Sequence, residues 1–324
     1  MRFAVRAKAA LALAALFTAA GLPAAQAAYP DKPIHLIVSF PPGSGTDTTA
    51  RYAAKKLEEK FKTTVVVENR TGANSFIAAK YVASAAPDGY TILLASNSPV
   101  ATNVAMFNSL PYDPVKDLDP VARLARGAMA LAVSAGSSYK TVGELVQQMR
   151  AQPGKLNYGA GSASYQIATE LFLNMAGVKA NHVPYKGAAP AITDLAGNQV
   201  DFVIADYGAV QPLAQGGKVR VLAVTGDKRL ASEPKAPTLH ESGYPDYFMV
   251  NWTAAFAPAK TPKDVIKTLA DAPLEIYATP ESAKFVAQTN WEVYTGGPEV
   301  LRKFQLDEIE RWSKAAQRAG VPKE

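Results

Sequence analysis

The feature that most constrains this chain is Phe40-Pro41-Pro42-Gly43-Ser44-Gly45-Thr46-Asp47, set between the apolar run Ile34 to Phe40 and a helical pattern that begins near Asp47. A strand that enters a helix through so short a turn leaves several backbone N–H groups unpaired at the positive end of the helix dipole, where a small anion binds. A second turn, Tyr158-Gly159-Ala160-Gly161-Ser162-Ala163-Ser164, precedes a pattern with Ile167, Leu171 and Met175 on one side. Ser162 or Ser164 would cap that helix, with hydroxyl and N–H groups again turned toward an anion. Taken bare, both motifs fit an ordinary strand-to-helix turn equally well. Their interest is that two such helix starts could face each other across one cleft.

The chain opens with Arg2, Arg6 and Lys8, then an apolar stretch from Ala9 to about Ala20, then Ala25-Gln26-Ala27. This is the pattern of a Sec-type signal peptide cleaved after Ala27, so an exported mature protein is expected. The apolar run is shorter than the roughly 20 residues that a membrane-spanning helix needs. Loss of residues 1–27 lowers the formal charge from +6 to +3. With no basic run either, nucleic-acid binding is not expected. The absence of cysteine excludes disulfides, thiolate metal sites and cysteine nucleophiles together. The fold must then rest on its core, and 48% hydrophobic residues supply one.

Short apolar runs alternate with helical patterns along the rest of the chain. Ile34 to Phe40, Val65 to Val67, Thr91 to Ala95, Phe202 to Ala205 and Val219 to Thr225 have the branched, apolar character of strands buried on both faces. Ala50, Ala53, Ala54, Leu57 and Phe61 recur at helical spacing. Thr141-x-x-Glu144 reads as a capping box, and Thr261-Pro262 as an N-cap with proline at the first helical position. Pro87-Asp88-Gly89 and Pro153-Gly154 mark turns. The alternation predicts an α/β fold with largely parallel sheets. No flexible linker divides a length that usually makes two domains, so crossing strands are expected to join them. Val121 to Val133 and Val250 to Ala257 are the candidate crossings. The division is a leader at 1–27, a first domain of 28–127 with 252–324, and a second of 128–251.

Motif by motif, enzyme chemistry finds little support. Gly159-Ala160-Gly161-Ser162-Ala163-Ser164 keeps two glycines of a dinucleotide fingerprint but has serine at the third and no acid about 20 positions on. No Walker lysine follows Gly43 or Gly45, and no Gly-x-Ser-x-Gly elbow occurs. His35, His182 and His240 are isolated from one another, which favours structural roles over metal or general-base roles. No catalytic residue, metal or cofactor is therefore expected. Asp206 ends the run Phe202-Val203-Ile204-Ala205 at its carboxyl side, where open α/β sheets place ligands. It either caps the next turn or accepts a hydrogen bond from the ligand or a bridging water. Tyr207, Tyr165 and Phe40 would add apolar walls with polar tips, whereas Trp252 reads as a core residue.

Several segments together resemble one family. They include Tyr29-Pro30-x-Lys32-Pro33-Ile34, the turn Phe40 to Asp47, Val65-Val66-Val67-Glu68-Asn69-Arg70-x-Gly72-Ala73 and Ala86-Pro87-Asp88-Gly89-Tyr90-Thr91. Leu110-Pro111-Tyr112-Asp113-Pro114, Pro153-Gly154-Lys155-Leu156-Asn157-Tyr158, His182-Val183-Pro184-Tyr185-Lys186-Gly187 and Gly217-Lys218-Val219-Arg220-Val221-Leu222-Ala223-Val224-Thr225 continue the series in order. Across essentially the whole mature chain they resemble the substrate-binding proteins of tripartite tricarboxylate transporters, the Bug receptors.

The resemblance implies a periplasmic binding protein of the type II kind, with two α/β domains, a ligand cleft and a hinge of crossing strands. It implies a monomeric receptor that captures a small carboxylate and presents it to membrane permease subunits of the transporter. The same architecture serving a sensor kinase or an ABC-type importer is the alternative, and a periplasmic hydrolase or lyase is the reading from another class. The implied ligand-binding set is Phe40, Pro42, Gly43, Ser44, Gly45, Thr46 and Asp47 on one turn and Gly161, Ser162, Ala163, Ser164 and Tyr165 on the other. Ser96, Asn97, Lys186, Ala205, Asp206 and Tyr207 complete it, with Asp206 resembling the family acid that reads the ligand's distal group. Tyr165-Gln166 stands where a small residue and histidine are common, and Ser44 where glycine is frequent. The chain's own ligand is therefore not assigned from the family.

Overall fold

The described part of the computed structural model is residues 29–324, so the expected leader at 1–27 lies outside it. All ten strands and ten α-helices described below belong to the contact unit Lys32–Glu324. Among the described residues, no helix is long and apolar enough to cross a membrane.

The chain first makes β1 (Ile34–Val38), α1 (Gly45–Phe61), β2 (Val65–Asn69), α2 (Phe76–Ala83) and β3 (Thr91–Ser96), the last leading into a π-helical turn, Ser98–Thr102, and the short α3 (Asn103–Met106). A long strand, β4 (Leu118–Ser134), then leads to α4 (Val142–Ala151), β5 (Asn157–Ala160), α5 (Ala163–Ala176), β6 (Asn181–Pro184), α6 (Ala188–Ala196), β7 (Phe202–Asp206), α7 (Tyr207–Gln215) and β8 (Val219–Val224). The chain returns through β9 (Val250–Pro258), α8 (Lys263–Tyr277), α9 (Pro280–Gln288), β10 (Trp291–Gly296) and α10 (Pro298–Ala319). The predicted strands at 34–40, 65–67, 91–95, 202–205 and 219–225 thus all form within a residue or two of their expected limits.

β4 organises the sheet by changing partners along its length. Leu118 to Ala128 pair with β9 and Arg123 to Gly127 with β10, whereas Met129 to Ser134 pair with β7 and β8. One half of the sheet runs β2-β1-β3-β9-β4-β10 and the other β6-β5-β7-β4-β8. In the second half of β4, Met129, Ala130, Leu131, Ala132 and Val133 are all fully buried, as a strand flanked on both edges and covered on both faces must be. The expectation of largely parallel pairing needs correction. β1 pairs parallel with β2 and β3, and β5 with β6 and β7, but every pairing of β4 and β9 is antiparallel. The strands made by long-range returns of the chain run against the βαβ units.

Two helix starts illustrate how local chemistry sets the elements. Thr141 caps α4 by accepting from Glu144 N–H at 3.2 Å, as the capping box requires, and Val142, Leu145, Val146 and Met149 form its buried stripe. Each fully buried Leu or Met on such a stripe contributes about 1.5–3 kcal/mol. At Thr261-Pro262 the expectation is off by one residue: α8 begins at Lys263 with Pro262 at the cap, and Thr261 Oγ1 donates to the Pro258 carbonyl at 2.7 Å. Proline's fixed φ still starts the helix, but the threonine hydroxyl finds a nearer acceptor. Trp252 is fully buried, as expected, and donates through Nε1 to Glu308 at 2.7 Å.

Candidate ligand-binding cleft

β1 lies between β2 and β3, and β5 between β6 and β7, so each is a point where strand order reverses. Ligands of open α/β sheets bind outside the carboxyl ends of strands at such points. The two glycine turns follow these two strands, and both line one cleft.

In the first turn, Gly43 takes a left-handed φ of 82°, which glycine adopts without steric cost, and Ser44 N–H donates to the Pro41 carbonyl at 3.2 Å. Ser44 then caps α1, its Oγ accepting from Asp47 N–H. This leaves the N–H groups of Gly45 and Thr46 without an intrahelical acceptor at the positive end of a 17-residue helix. Asp47 is buried behind the turn, where its carboxylate accepts from Gly43 N–H (2.9 Å), Arg51 Nε (3.0 Å) and Asn69 Nδ2 (2.8 Å). Burial alone would raise its pKa, but the bonds from Arg51, Asn69 and Gly43 outweigh burial and hold the carboxyl below its ordinary value. Asp47 therefore braces the loop and does not itself line the cleft.

The second turn is built in the same way. Ser162 caps α5 and accepts from Tyr165 N–H, leaving the N–H groups of Ala163 and Ser164 without intrahelical acceptors. Gly161 is dictated by close approach, because a Cβ there would stand 2.1 Å from the backbone of Gly187. That contact brings the start of α6 into the cleft through Ala188 and Ala189, and Ala209 in the first turn of α7 lines it as well. The sequence pointed to two helix starts; four converge.

Phe40, Pro42, Gly43, Ser44, Gly45, Thr46, Ser96, Ser162, Ser164, Tyr165 and Asp206 of the expected set line the cleft. Asp47, Asn97, Gly161, Ala163, Lys186, Ala205 and Tyr207 do not. Asn97 is fully buried and ties the end of β3 to β9, donating to the Val250 carbonyl and accepting from Trp252 N–H. Lys186 is exposed, and the Tyr207 hydroxyl reaches toward Glu233 instead of the cleft. Ala163 and Ala205 are buried within their elements. Gln166, expected beside the ligand's distal part, is half-buried and off the cleft.

Ser98, Asn251 and Trp291 are the lining residues with chemistry that sequence reasoning missed. Asn251 stands next to the core tryptophan at a strand start. Trp291 is a lone aromatic whose ring fills the space that Gly127 leaves, and nothing in its sequence neighbourhood marks a site.

Hydroxyls form the cleft's floor. Ser164 Oγ lies 3.0 Å from Ser98 Oγ and 3.2 Å from Thr102 Oγ1, joining α5 to the turn after β3. Ser96 Oγ is buried and has no hydrogen-bond partner. No Lys, Arg or His lines the cleft among the described residues, and Asp206 is its one charged side chain. Asp206 is buried at the end of β7, accepting from the Tyr165 hydroxyl at 2.8 Å through Oδ2 and from Asn251 Nδ2 through Oδ1. Burial raises its pKa, and the two donors only partly oppose this. The three histidines are elsewhere: His35 meets Glu68, His182 stacks on Tyr158, and His240 meets the Pro245 carbonyl.

Such a cleft can hold an anion through helix starts and hydroxyls, with Asp206 and the Trp291 ring beside the start of α1. Residues 49–321 match the family model described as tripartite tricarboxylate transporter family receptor, TctC. The Bordetella pertussis protein BugT is 35% identical over 320 residues, covering 96% of this chain and 97% of BugT. A Rhodopseudomonas palustris protein solved with adipate superposes with a TM-score of 0.89 at 33% identity, over 91% of this chain and all of that one. MatC from the same organism, solved with bound malate, gives 0.83 at 27% identity, over 89% and 99%. The periplasmic binding protein BugD gives 0.86 at 30% identity, over 91% and 100%. With its sequence and its α/β architecture matched over most of its length, the chain belongs to the tripartite tricarboxylate transporter receptor family.

Proposed function

We propose that this protein is a periplasmic receptor that captures a small carboxylate in the cleft and delivers it, as a monomer, to the membrane subunits of a tripartite tricarboxylate transporter. The observation that carries the reading is the pair of capped helix starts at Ser44 and Ser162 opening on one cleft that, among the described residues, no Lys, Arg or His lines. A carboxylate is an acceptor-only group and suits a site of N–H and hydroxyl donors. Each charge-assisted bond is worth about 1.5–3 kcal/mol, so three or four support a micromolar complex of about −8 kcal/mol after ordering costs. The adipate and malate found in two relatives are acids of this class.

The change of partners at Ala128 and Met129 along β4 supports two domains, residues 28–127 with 252–324 and residues 128–251. Closure of these domains on the ligand follows if both helix starts must touch it. Cleavage after Ala27 and export complete the proposal. The second crossing in this reading is Val250 to Ala257, on β9, which pairs with β3 and with the first part of β4. Denaturing the purified protein and identifying any released small acid by mass spectrometry, followed by titration of that acid, tests the reading. Micromolar or tighter binding is expected, and turnover of the acid, or binding of none in a broad carboxylate panel, would overturn it.

A further inference from the structure

The Trp291 ring occupies a space that glycines on three elements leave open. A Cβ on Gly127 of β4 would meet the ring at 2.8 Å, one on Gly45 in the first turn of α1 at 3.2 Å, and one on Gly208 in the first turn of α7 would come within 4.0 Å of its Nε1. The turn before β10 sets the ring there. Asn290, at a left-handed φ of 59° that asparagine tolerates, donates through Nδ2 to Gln211 Oε1 of α7 at 2.9 Å and accepts through Oδ1 from Ser232. One edge of the buried ring lines the cleft, and Trp291 also lines a second cavity, bordered by Leu230, Ala231, Phe248, Val250 and Ala287. Among the described residues it alone lines both. We propose that Trp291 is a partition that shuts the cleft off from the second cavity and so sets the longest acid the receptor accepts. This inference rests on the carboxylate reading of the cleft and adds a specificity-determining residue to it.

A wall of this kind is hard to push aside. The indole is rigid, and close contact with α1, β4 and the start of α7 leaves it no second place in a packed interior. A tail that leaves the α1 start on the side of Gly45 therefore ends at the ring, and further methylenes overpack the cleft. Beyond the ring the second cavity suits an apolar tail. Its charged groups are already paired, Glu292 with Arg126 and Lys228 and Arg229 with Glu241, so a tail lying on Leu230, Phe248 and Val250 strands no charge. Each methylene buried there would raise affinity roughly fourfold.

Linear monocarboxylates and α,ω-dicarboxylates of three to ten carbons, and 4-alkylbenzoates from methyl to hexyl, are titrated calorimetrically into wild type, Trp291→Phe and Trp291→Ala, each unfolded and refolded to strip bound acid. In whichever series binds, wild-type affinity is expected to peak and then fall at least tenfold within three further carbons. Trp291→Ala should move that limit at least two carbons longer, and Trp291→Phe should move it less. A ring that only supported the fold would weaken all lengths alike, so an unmoved limit in folded Trp291→Ala overturns the inference and leaves the carboxylate reading standing. A wild-type affinity that never falls with length does the same. Binding of no acid in any of the three series overturns both. A further readout needs no variant. The other tryptophans, Trp252 and Trp312, are fully buried with their Nε1 groups on Glu308, so the emission of the wild type should change as acid fills the cleft beside Trp291, most strongly at the length limit. Unchanged emission with every acid that binds overturns the inference even where both variants fail to fold.

Discussion

The Gly43 N–H donates to Asp47 Oδ2 at 2.9 Å, so an acid in the first turn of α1 holds the preceding loop from behind. The N–H groups of Gly45 and Thr46 are left to the cleft. Asp47→Asn keeps the size but weakens the bonds from Gly43 and Arg51, and the turn should loosen. Carboxylate affinity is expected to fall about tenfold, or about 1.4 kcal/mol, with a stability loss of about 1–2 kcal/mol. Titration calorimetry and urea unfolding measure the two. Unchanged affinity would mean that the turn does not depend on its brace.

Asp47 and Asp206 should leave opposite signatures in stability against pH. The folded Asp47 carboxyl sits below its ordinary 3.8 because Arg51, Asn69 and Gly43 outweigh burial. Its contribution is present above pH 4 and lost as pH falls through the depressed value. Asp206 is raised above 3.8 by burial, so its contribution is fully present below pH 4 and lost as pH rises through the raised value. Urea unfolding from pH 3 to 8 should show the difference between wild type and Asp47→Asn growing with pH, and that between wild type and Asp206→Asn shrinking.

Ser96 should act on binding and not on stability. Its buried Oγ has no hydrogen-bond partner within the protein, so Ser96→Ala should unfold within about 0.5 kcal/mol of wild type or be slightly more stable. The same change should weaken carboxylate binding about tenfold if the hydroxyl is satisfied by ligand or by a water that the ligand holds. Equal loss of stability and affinity would assign Ser96 to the core.

How much of this was legible in the sequence differs between fold and site. The two glycine turns, the Asp206 strand end and the alternation of strands and helices can be read directly, because each rests on local backbone chemistry. The antiparallel run of β4 and β9 cannot, since strand direction depends on which distant segments meet. Asn251 and Trp291 escaped for the same reason: a strand start and a lone aromatic become cleft walls only once β9 and β10 pair with β4. Asp47 and Asn97 were expected at the ligand because they flank it in sequence, yet their side chains turn back to hold backbone.

Gly161→Ala tests the convergence of helix starts. A Cβ 2.1 Å from the Gly187 backbone cannot be absorbed by a side-chain rotation, so the α5 and α6 starts must separate. A cost of about 1–3 kcal/mol is expected in urea unfolding, together with weaker carboxylate binding. Binding at wild-type affinity in a destabilised variant would show that α6 does not contribute to the site.

The central claim is that helix starts at Ser44 and Ser162 clasp a carboxylate. The most direct measurement is a paired calorimetric titration of the tightest-binding acid and its primary amide, which keeps the shape and removes the charge. The acid should bind at micromolar affinity or better and the amide at least a hundredfold more weakly; equal affinity for the two would contradict the clasp.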